Sequence, residues 1–405
     1  MNAADNAWVL ASSALVLLMT PGLAMFYGGM TRQKNVLSTM MHSFFLMALA
    51  SIIWLFYGFT LAFGPDAFWG LIGNLKHFAL DGVGAEVWPE QTIPGTSFMI
   101  FQCMFAVITP ALISGAFAER MRFSAFIIFM FLWMTFVYCP VAHWVWGPDG
   151  WLSKMGALDF AGGTVVHINA GVAALACALV IGKRKGYGTA AMIPHNLTLT
   201  LLGAGLLWVG WFGFNAGSAL KADAGASMAF VVTHMATAAA ALSWVFAEWI
   251  IRGKPTTLGL ASGAVAGLVA ITPASGYVGP VSSVILGAVA GVVCYLAVLA
   301  KAGLGYDDSL DVVGVHGVGG AWGAIATGLF ASKAINSAAA DGLFFGNPGQ
   351  LWTQIVAVLA TVIYSFVVTL VILYIVKAIV GLRVTEEEEV VGVDLSAHGE
   401  TGYSL

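Results

Sequence analysis

Long apolar runs separated by short polar segments organise the whole chain. A window of about 20 residues, the length of helix that crosses a hydrocarbon layer of ~30 Å, finds eleven such runs. Their bounds are 8–30, 38–63, 96–118, 123–146, 161–182, 196–215, 226–251, 257–275, 280–300, 310–331 and 350–380. The pattern predicts an all-α polytopic membrane protein in which residues 1–380 form an eleven-helix transmembrane domain and residues 381–405 a cytoplasmic C-terminal tail.

The basic residues between these runs predict the orientation. Twelve lysines and arginines follow odd-numbered runs and four follow even-numbered ones, and positive charge collects on the cytoplasmic side of a membrane. The larger set is Arg32, Lys34, Arg120, Arg122, Lys183, Arg184, Lys185, Arg252, Lys254, Lys301, Lys377 and Arg383, and the smaller is Lys76, Lys154, Lys221 and Lys333. We therefore expect the N-terminus outside, the C-terminus inside and the longest connection, 64–95, outside. Because no basic region precedes the first run, we expect it to be a retained span rather than a cleaved signal.

Composition narrows the class further. Sixty per cent of the residues are hydrophobic and nine per cent are charged, a balance too apolar for a soluble surface. The four cysteines lie inside apolar runs without the spacing of metal ligands, so we interpret them as core residues. The one concentrated source of negative charge, Glu386–Glu389, is expected to be a solvated run. We expect no metal, no cofactor and no nucleic-acid partner.

Two aspartate–histidine pairs carry the strongest chemical signal. Asp159 precedes His167 by eight residues at the start of the fifth run, and Asp308 precedes His316 by eight at the start of the tenth. Eight helical residues rise about 12 Å, which carries each histidine toward the middle of the hydrocarbon layer. The fifth run goes inward and the tenth outward, so the pairs are inverted. This predicts two inverted five-helix repeats plus a final helix, with the histidines meeting near the midplane.

Glycines flank both histidines and favour close packing of the two helices. They are Gly162, Gly163, Gly171, Gly314, Gly317, Gly319, Gly320 and Gly323. A single buried histidine often bonds a neighbouring carbonyl, but two at matched depth on inverted repeats favour a functional pair. The aspartates have a plainer explanation, because a carboxylate in the first turn of a helix caps free N–H groups. Glu119 and Glu248 are expected to pair locally with Arg120 and Arg252.

Several motifs together resemble the ammonium transporter (Amt/Mep/Rh) family, on its bacterial Amt branch. They are Pro21–Gly29, 101–105, Ala118–Phe123, Asp159–Ala170, Gly210–Ser218, Val313–Gly317, and the tail pieces Gly381–Arg383 and Ser396–Glu400. The resemblance covers nearly the whole chain. It implies a transporter rather than an enzyme, located in the bacterial plasma membrane and assembled as a homotrimer with one pore through each protomer. It also implies that ammonium, with methylammonium as an analogue, is the substrate.

The same resemblance assigns the outer residues of the path. Phe105, Trp146 and Ser218 would recruit ammonium, and Phe105 stacked over Phe214 would form an aromatic gate. From the residues alone, most aromatics near the outer span ends are typical of an interfacial belt. Two features depart from the family pattern: the connection at 148–151, and His234, which stands where an apolar residue is expected.

The inner residues follow in the same way. His167 and His316 would be the paired imidazoles of the pore, which Trp211 would also line. Asp159 would be a supporting carboxylate near the recruitment site, and Asp308 its symmetry mate. A PII-type signalling protein would block the cytoplasmic face, with the C-terminal tail participating.

The chemistry of the residues suggests how such a pore works. Dehydration of a permanent ion is costly in an apolar pore, whereas ammonium can leave its proton and cross as neutral ammonia. Two imidazoles in contact can share a proton. Two other hypotheses remain open: a sensor that signals ammonium status through a PII-type partner, and a membrane haem protein with the two histidines as axial ligands.

Overall fold

A computed structural model describes residues 1–403, and within them the spans follow the predicted order. The helices are Ala3–Met30; Val36–Ile53 with Trp54–Gly58 and Phe59–Phe63; Gly95–Phe117; Phe123–Trp133 with Met134–Tyr138 and Cys139–Trp146; Gly163–Ile168 with Asn169–Ile181; Leu197–Gly217; Ala224–Arg252; Thr257–Ile271; Pro280–Leu304; Val313–Val318 with Gly319–Phe330; and Pro348–Val380. In this part of the chain ten spans are long and apolar enough to cross a membrane, and Thr257–Ile271 is a shorter apolar helix. The prediction of an all-helical membrane protein is confirmed.

Short helices occupy the connections and the tail. They are Gln33–Asn35, Phe78–Leu80, Trp151–Lys154, Leu343–Phe345, Glu386–Val391 and Val393–His398. The long outer connection at 64–95 is mostly irregular, and isolated β-bridges fold it back on itself. It therefore forms a compact cover over one end of the bundle rather than an extended loop.

Four spans of the described chain contain a π-helical turn, which the hydrophobic periodicity did not predict. Two of these turns hold the candidate histidines: Gly163–Ile168 opens the fifth span and Val313–Val318 opens the tenth. In the fifth span the N–H groups of Val166 and His167 both donate to the Gly162 carbonyl, at 2.9 and 3.1 Å. A π turn adds one residue to a helical turn and is frequent at functional sites. Both histidine-bearing helices thus begin with the same local distortion.

Glycines allow the helices to approach closely at two crossings. The first and sixth spans meet where a Cβ added to Gly203 would strike the backbone of the first span. The fifth and tenth spans meet where Gly171 faces the backbone of Gly317, and where a Cβ on Gly320 would lie 2.9 Å from the His167 Cβ. Real Cβ atoms do not approach so closely, so only glycine fits. The prediction that glycines bring the histidine helices together is confirmed.

Two buried glutamates have partners other than those expected. Glu119 pairs with Arg32 at 2.5 Å and not with the adjacent Arg120. Glu248 accepts from the N–H and the hydroxyl of Thr256, at 3.1 and 2.9 Å, and not from a neighbouring arginine. The local pairing prediction is therefore wrong. Glu119 also has a left-handed backbone, with φ of 75°.

The tail packs against the rest of the chain as far as residue 403. Glu389 is 1% exposed and accepts from Arg383 at 2.6 Å, so the expectation of a fully solvated glutamate run is wrong at this position. Further along, the Asp394 carboxylate accepts from the N–H groups of Leu37 and Ser38, at 3.0 and 2.7 Å. A carboxylate at a helix N-terminus satisfies free N–H groups and suits the helix dipole. The tail therefore caps the second span.

Candidate transport pathway

Three residues from different spans line one cavity of about 160 Å³, which we call the outer cavity after the orientation predicted from the sequence. Phe105 comes from the third span, Trp146 ends the fourth, and Ser218 directly follows the sixth. The Phe105 and Trp146 ring centroids lie 5.7 Å apart with the ring planes at 87°. The Ser218 hydroxyl donates to the Phe214 carbonyl at 2.8 Å, and its oxygen keeps lone pairs with which to accept from a cation. The structure thus brings the three candidate recruitment residues together.

Gln102 lines the same cavity and received no role from the sequence. Its side-chain oxygen is buried and has no hydrogen-bond partner within residues 1–403. An amide oxygen is an acceptor, which suits a cation that carries only donors. Gln102 lies about one helical turn before Phe105, so the two side chains are on the same face of the third span. This spacing within the motif at 101–105 is the sequence signal that could have identified Gln102 as a cavity residue.

A second, wider cavity of about 380 Å³ lies against Trp146 and is lined mainly by the outer segment 64–95. The connection at 148–151, which departs from the family pattern, packs on that segment. The Trp151 N–H donates to the Gly70 carbonyl at 3.2 Å. The connection at 148–151 therefore joins the segment 64–95 to the end of the fourth span.

An aromatic pair separates the outer cavity from the centre of the bundle. The Phe105 and Phe214 ring centroids lie 4.3 Å apart, with the planes at 35°. The two side chains are 1% and 0% exposed. The rings close the path in this structure, and a molecule passing inward has to displace at least one of them.

The two candidate histidines meet beyond this pair. The Nδ1 atoms of His167 and His316 lie 3.2 Å apart, and the side chains are 1% and 2% exposed. A hydrogen bond between two ring nitrogens needs one donor and one acceptor, so two neutral imidazoles here have opposite tautomers. The prediction that the inverted pairs converge is confirmed.

A space of about 10 Å³ lies against the imidazoles, which is room for about one water-sized molecule. Apart from the two histidines, its lining is apolar or aromatic: Met19, Leu23, Ile108, Leu112, Val166, Leu207, Trp211, Phe214 and Val265. Trp211 stacks on His167 with centroids 5.3 Å apart, and its indole N–H donates to the Thr272 hydroxyl at 2.9 Å. This bond holds the indole as a wall of the path.

The Asp159 carboxylate caps the fifth span. It accepts from the N–H groups of Gly162, Gly163 and Thr164, at 2.8, 2.6 and 2.8 Å, and also from the Thr164 hydroxyl. Its backbone carbonyl accepts from the Trp146 indole at 2.9 Å. The geometry matches the plainer explanation of a helix cap, and it makes Asp159 a support for Trp146 through the main chain.

Asp308 occupies the corresponding place just before the tenth span, which begins at Val313, but its surroundings differ. One carboxylate oxygen accepts from the Val313 N–H at 2.7 Å, and the other is buried without a partner in residues 1–403. Burial raises the pKa of Asp308 to about 6, although the nearby Lys301 ammonium opposes the rise. The two aspartates therefore differ in how many hydrogen bonds their carboxylates accept.

The imidazole geometry does not fit two axial ligands of a haem. The rings are in direct hydrogen-bond contact at 3.2 Å, which leaves no place for an iron between them. The adjacent space of about 10 Å³ is far smaller than a porphyrin. The haem hypothesis is set aside on these grounds.

Fold and path together define a class. A bundle of membrane-length helices encloses an apolar path with aromatics at its outer end and paired imidazoles at its centre, and this is an integral membrane transport protein. The particular family follows from comparison. The profile described as Ammonium Transporter Family matches residues 7–403, and the chain belongs to the ammonium transporter family. It is a transporter and not an enzyme.

Relatives and solved structures resemble the chain over its whole length. An ammonium transporter of Bacillus subtilis (strain 168) is 56% identical over 405 residues, covering 100% of this chain and 99% of that one. The crystal structure of Candida albicans Mep2 superposes with a TM-score of 0.92 at 39% identity, covering 100% of this chain and 91% of that one. A structure titled Sensor Amt Protein gives a TM-score of 0.89 at 31% identity, with 98% of each chain covered.

Proposed function

We propose that this ammonium transporter binds ammonium between Phe105, Trp146 and Ser218, where ammonium separates into ammonia and a proton. Ammonia then passes through the Phe105–Phe214 pair to the two histidines, and the proton passes to their imidazoles. The observation that carries the proposal is the pair of imidazoles, 3.2 Å apart, at the centre of an otherwise apolar path. We place this path in the bacterial plasma membrane, with the N-terminus outside and the C-terminus in the cytoplasm.

The outer cavity has the chemistry of a cation site. Two aromatic rings with centroids 5.7 Å apart line the cavity, and a small cation over a ring face gains about 0.5–2 kcal/mol. The hydroxyl of Ser218 and the unpartnered amide oxygen of Gln102 both accept hydrogen bonds. Ammonium donates four, whereas potassium donates none. The site thus favours ammonium before its charge is removed.

The inner path has the chemistry of a neutral passage. The space beside the imidazoles is about one molecule wide and lined by apolar groups, so a permanent ion there loses its hydration shell without replacement. Ammonia, once neutral, accepts from one ring nitrogen and donates to another. The linked imidazoles also give a proton a route between the two halves of the path.

Electrical recording on reconstituted bilayers tests the substrate and charge movement together. We expect an ammonium-evoked current, a smaller one with methylammonium and none with potassium, because only the first two can shed a proton. A potassium current equal to the ammonium current would contradict passage as a neutral molecule.

Replacing Trp146 with leucine and Ser218 with alanine together is expected to raise the half-saturating ammonium concentration roughly five- to thirty-fold. This follows from losing about 1–2 kcal/mol of cation–π attraction and hydrogen bonding. Concentration-dependent currents measure the change. Trp322→Leu is the matched control, because Trp322 does not line the path. Its indole N–H donates to the Leu286 carbonyl, with 3.0 Å between the two atoms. Unchanged saturation in the double variant would remove both residues from the recruitment site.

We also propose that a PII-type protein docks on the cytoplasmic face with the help of the tail. The tail is held to the cytoplasmic loops by specific contacts, among them an ion pair between Lys185 and Glu386 at 2.6 Å. Such contacts present the tail at a fixed place, where a partner can bind tail and loops together.

Deleting residues 385–405 is expected to leave ammonium uptake present and to abolish PII inhibition. Uptake assays with and without added PII protein measure both effects. Glu386→Ala, which breaks the exposed pair with Lys185 alone, is the control and should retain most of the inhibition because an exposed pair contributes little. Full inhibition of the truncated protein would place the docking surface on the cytoplasmic loops alone.

A sensor function is a second candidate, favoured by the similarity to the structure titled Sensor Amt Protein. Here the tail would carry a signal of ammonium status and transport would be incidental. The truncated protein separates the two functions, since a sensor loses its ammonium-dependent partner binding while its current remains.

We further propose a homotrimer in which the sixth and seventh spans face a second copy. His234 is exposed on the seventh span, ten residues from its start, and lies 5.5 Å from Trp208. Nearby, Phe212 and Phe230 stack with ring centroids at 3.8 Å. A histidine facing lipid at this depth is costly, so cover by another protomer explains its position. A native mass of a single chain in mild detergent would rule this assembly out.

A further inference from the structure

The eleventh span is the most apolar of the long spans in the described chain, yet five of its ten buried residues are polar. They are Gln350, Gln354, Thr361, Ser365 and Thr369. Polar groups inside a membrane protein are costly unless they are bonded, and their hydrogen bonds join helices. The sequence analysis treats this span as an addition to the two repeats. Its buried polar face indicates instead that it forms hydrogen bonds to the other helices of the bundle.

Gln354 is the most connected of these residues. It is 1% exposed, and its amide oxygen accepts from the Leu158 N–H at 2.7 Å while its NH₂ group donates to the Leu158 carbonyl at 2.8 Å. The same NH₂ group donates to the Ala324 carbonyl at 3.1 Å. Gln350 adds a bond to the Gly156 carbonyl at 3.0 Å. The Gln354 side chain thus bonds to both the N–H and the carbonyl of Leu158.

Leu158, which Gln354 holds, immediately precedes Asp159, whose carboxylate and carbonyl both accept hydrogen bonds. Asp159 follows Leu158, and its carbonyl accepts from the Trp146 indole at 2.9 Å. Its carboxylate caps the π turn that contains His167. A shift of the Leu158 main chain therefore moves the outer aromatic and the pore helix together.

The clamp also reaches the other half of the molecule. Ala324 lies in the tenth span, eight residues after His316, so Gln354 bonds to one of the helices that carry the imidazoles and to the segment that leads into the other. Lower on the same face, the Ser365 hydroxyl donates to the Asn169 carbonyl at 3.0 Å, two residues after His167. The eleventh span therefore bonds to the chain on both sides of His167, at Leu158 just before the fifth span and at Asn169 within it.

We propose that Gln354 is a positioning residue for transport. It holds the Leu158 main chain so that Trp146 and the His167 turn keep their separation, and this makes the eleventh span part of the transport machinery. The proposal rests on the proposed function, in which ammonium binds at Trp146 before ammonia reaches His167.

Gln354→Met tests it, because methionine has a similar length without hydrogen-bonding groups. We expect a rise of at least about threefold in the half-saturating ammonium concentration and a smaller preference for ammonium over methylammonium, in protein that assembles and melts like the control. Thr361→Val is that control, since Thr361 lies on the same buried face and its hydroxyl bonds only within its own helix, to the Ala357 carbonyl at 2.9 Å.

A merely structural role gives another pattern: fewer folded molecules and a lower maximal current, with the half-saturating concentration and selectivity unchanged. That result overturns the proposal. If Gln354→Met fails to assemble, Gln350→Met decides, because it removes the bond to Gly156 and should raise the half-saturating concentration in the same direction by a smaller factor. Unchanged saturation in Gln350→Met then overturns the proposal. Absence of any ammonium uptake by the unaltered protein would instead contradict the proposed function.

Discussion

Replacing His167 with aspartate is expected to let potassium through a path that otherwise excludes it. A carboxylate in contact with a cation at about 4 Å lowers the cation's energy by roughly 4 kcal/mol at an effective dielectric constant of about 20. Aspartate is also smaller than histidine, so the space of about 10 Å³ beside it grows. Both changes reduce the dehydration barrier that keeps a permanent ion out. Potassium and ammonium currents on the same bilayers measure the loss of selectivity.

The apolar variant His167→Ala should act differently. It removes one partner of the contact at 3.2 Å with His316, so the proton has no second imidazole to move to. We expect the ammonium current to fall by at least about tenfold, which corresponds to about 1.4 kcal/mol at the barrier, without a gain in potassium current.

A control separates these effects from damage to the fold. His42 is 2% exposed and packs 4.3 Å from the Phe126 ring outside the path, so His42→Leu should alter stability without ion-specific effects. Native mass and melting behaviour are recorded for all three variants. Normal folding of both His167 variants with wild-type ammonium current and selectivity would contradict the paired-histidine mechanism.

Asp159→Asn and Asp308→Asn should have opposite outcomes although the residues are symmetry-related. In Asp159→Asn the new NH₂ group replaces one carboxylate oxygen. It then faces N–H donors that bond to this oxygen in the unaltered protein, so at least one buried N–H group loses its acceptor. Each buried donor left unsatisfied costs about 1–3 kcal/mol, and the loss falls beside Trp146 and the His167 turn. We expect little folded protein and a strongly reduced ammonium current.

Asp308→Asn is expected to be tolerated or stabilising at pH 7. Burial raises the pKa of Asp308 to about 6, so at pH 7 the native state holds a buried charge that asparagine removes. A carboxyl group whose pKa is higher in the folded than in the unfolded state contributes fully to stability below its unfolded-state pKa. This contribution is lost as the pH rises through the folded-state pKa. The advantage of the variant should therefore shrink as pH falls through about 6. Melting temperatures of the two proteins between pH 5 and pH 8 measure it, and a constant difference would contradict this account.

The sequence was sufficient for the spans and for the imidazole contact. Membrane helices need about 20 apolar residues whatever their neighbours are, so run length alone located them. The convergence of His167 and His316 followed from symmetry, because equal spacing on inverted helices places equivalent residues near one axis. Neither inference required knowledge of which side chains touch.

The remaining features depend on such contacts. Gln354 bonds to Leu158, which lies 196 residues away in sequence, and no local pattern encodes that pairing. Sequence proximity favours Arg120 as the partner of Glu119, whereas the fold brings Glu119 to Arg32, 87 residues away. Gln102 was overlooked because its role depends on an atom without a partner, which only the surrounding packing reveals.

The π turns limit how these spans can change in evolution. Each holds one residue more than an α-helical turn, and one residue corresponds to about 100° of rotation about the helix axis. A single deletion within Gly163–Ile168 would keep the span helical but turn the Asp159 end relative to the rest of the helix. Here the register is held by hydrogen bonds on both sides of His167, from the Asp159 carboxylate and from Ser365. Insertions and deletions should therefore accumulate in the connections, and the length of the fifth and tenth spans should stay constant.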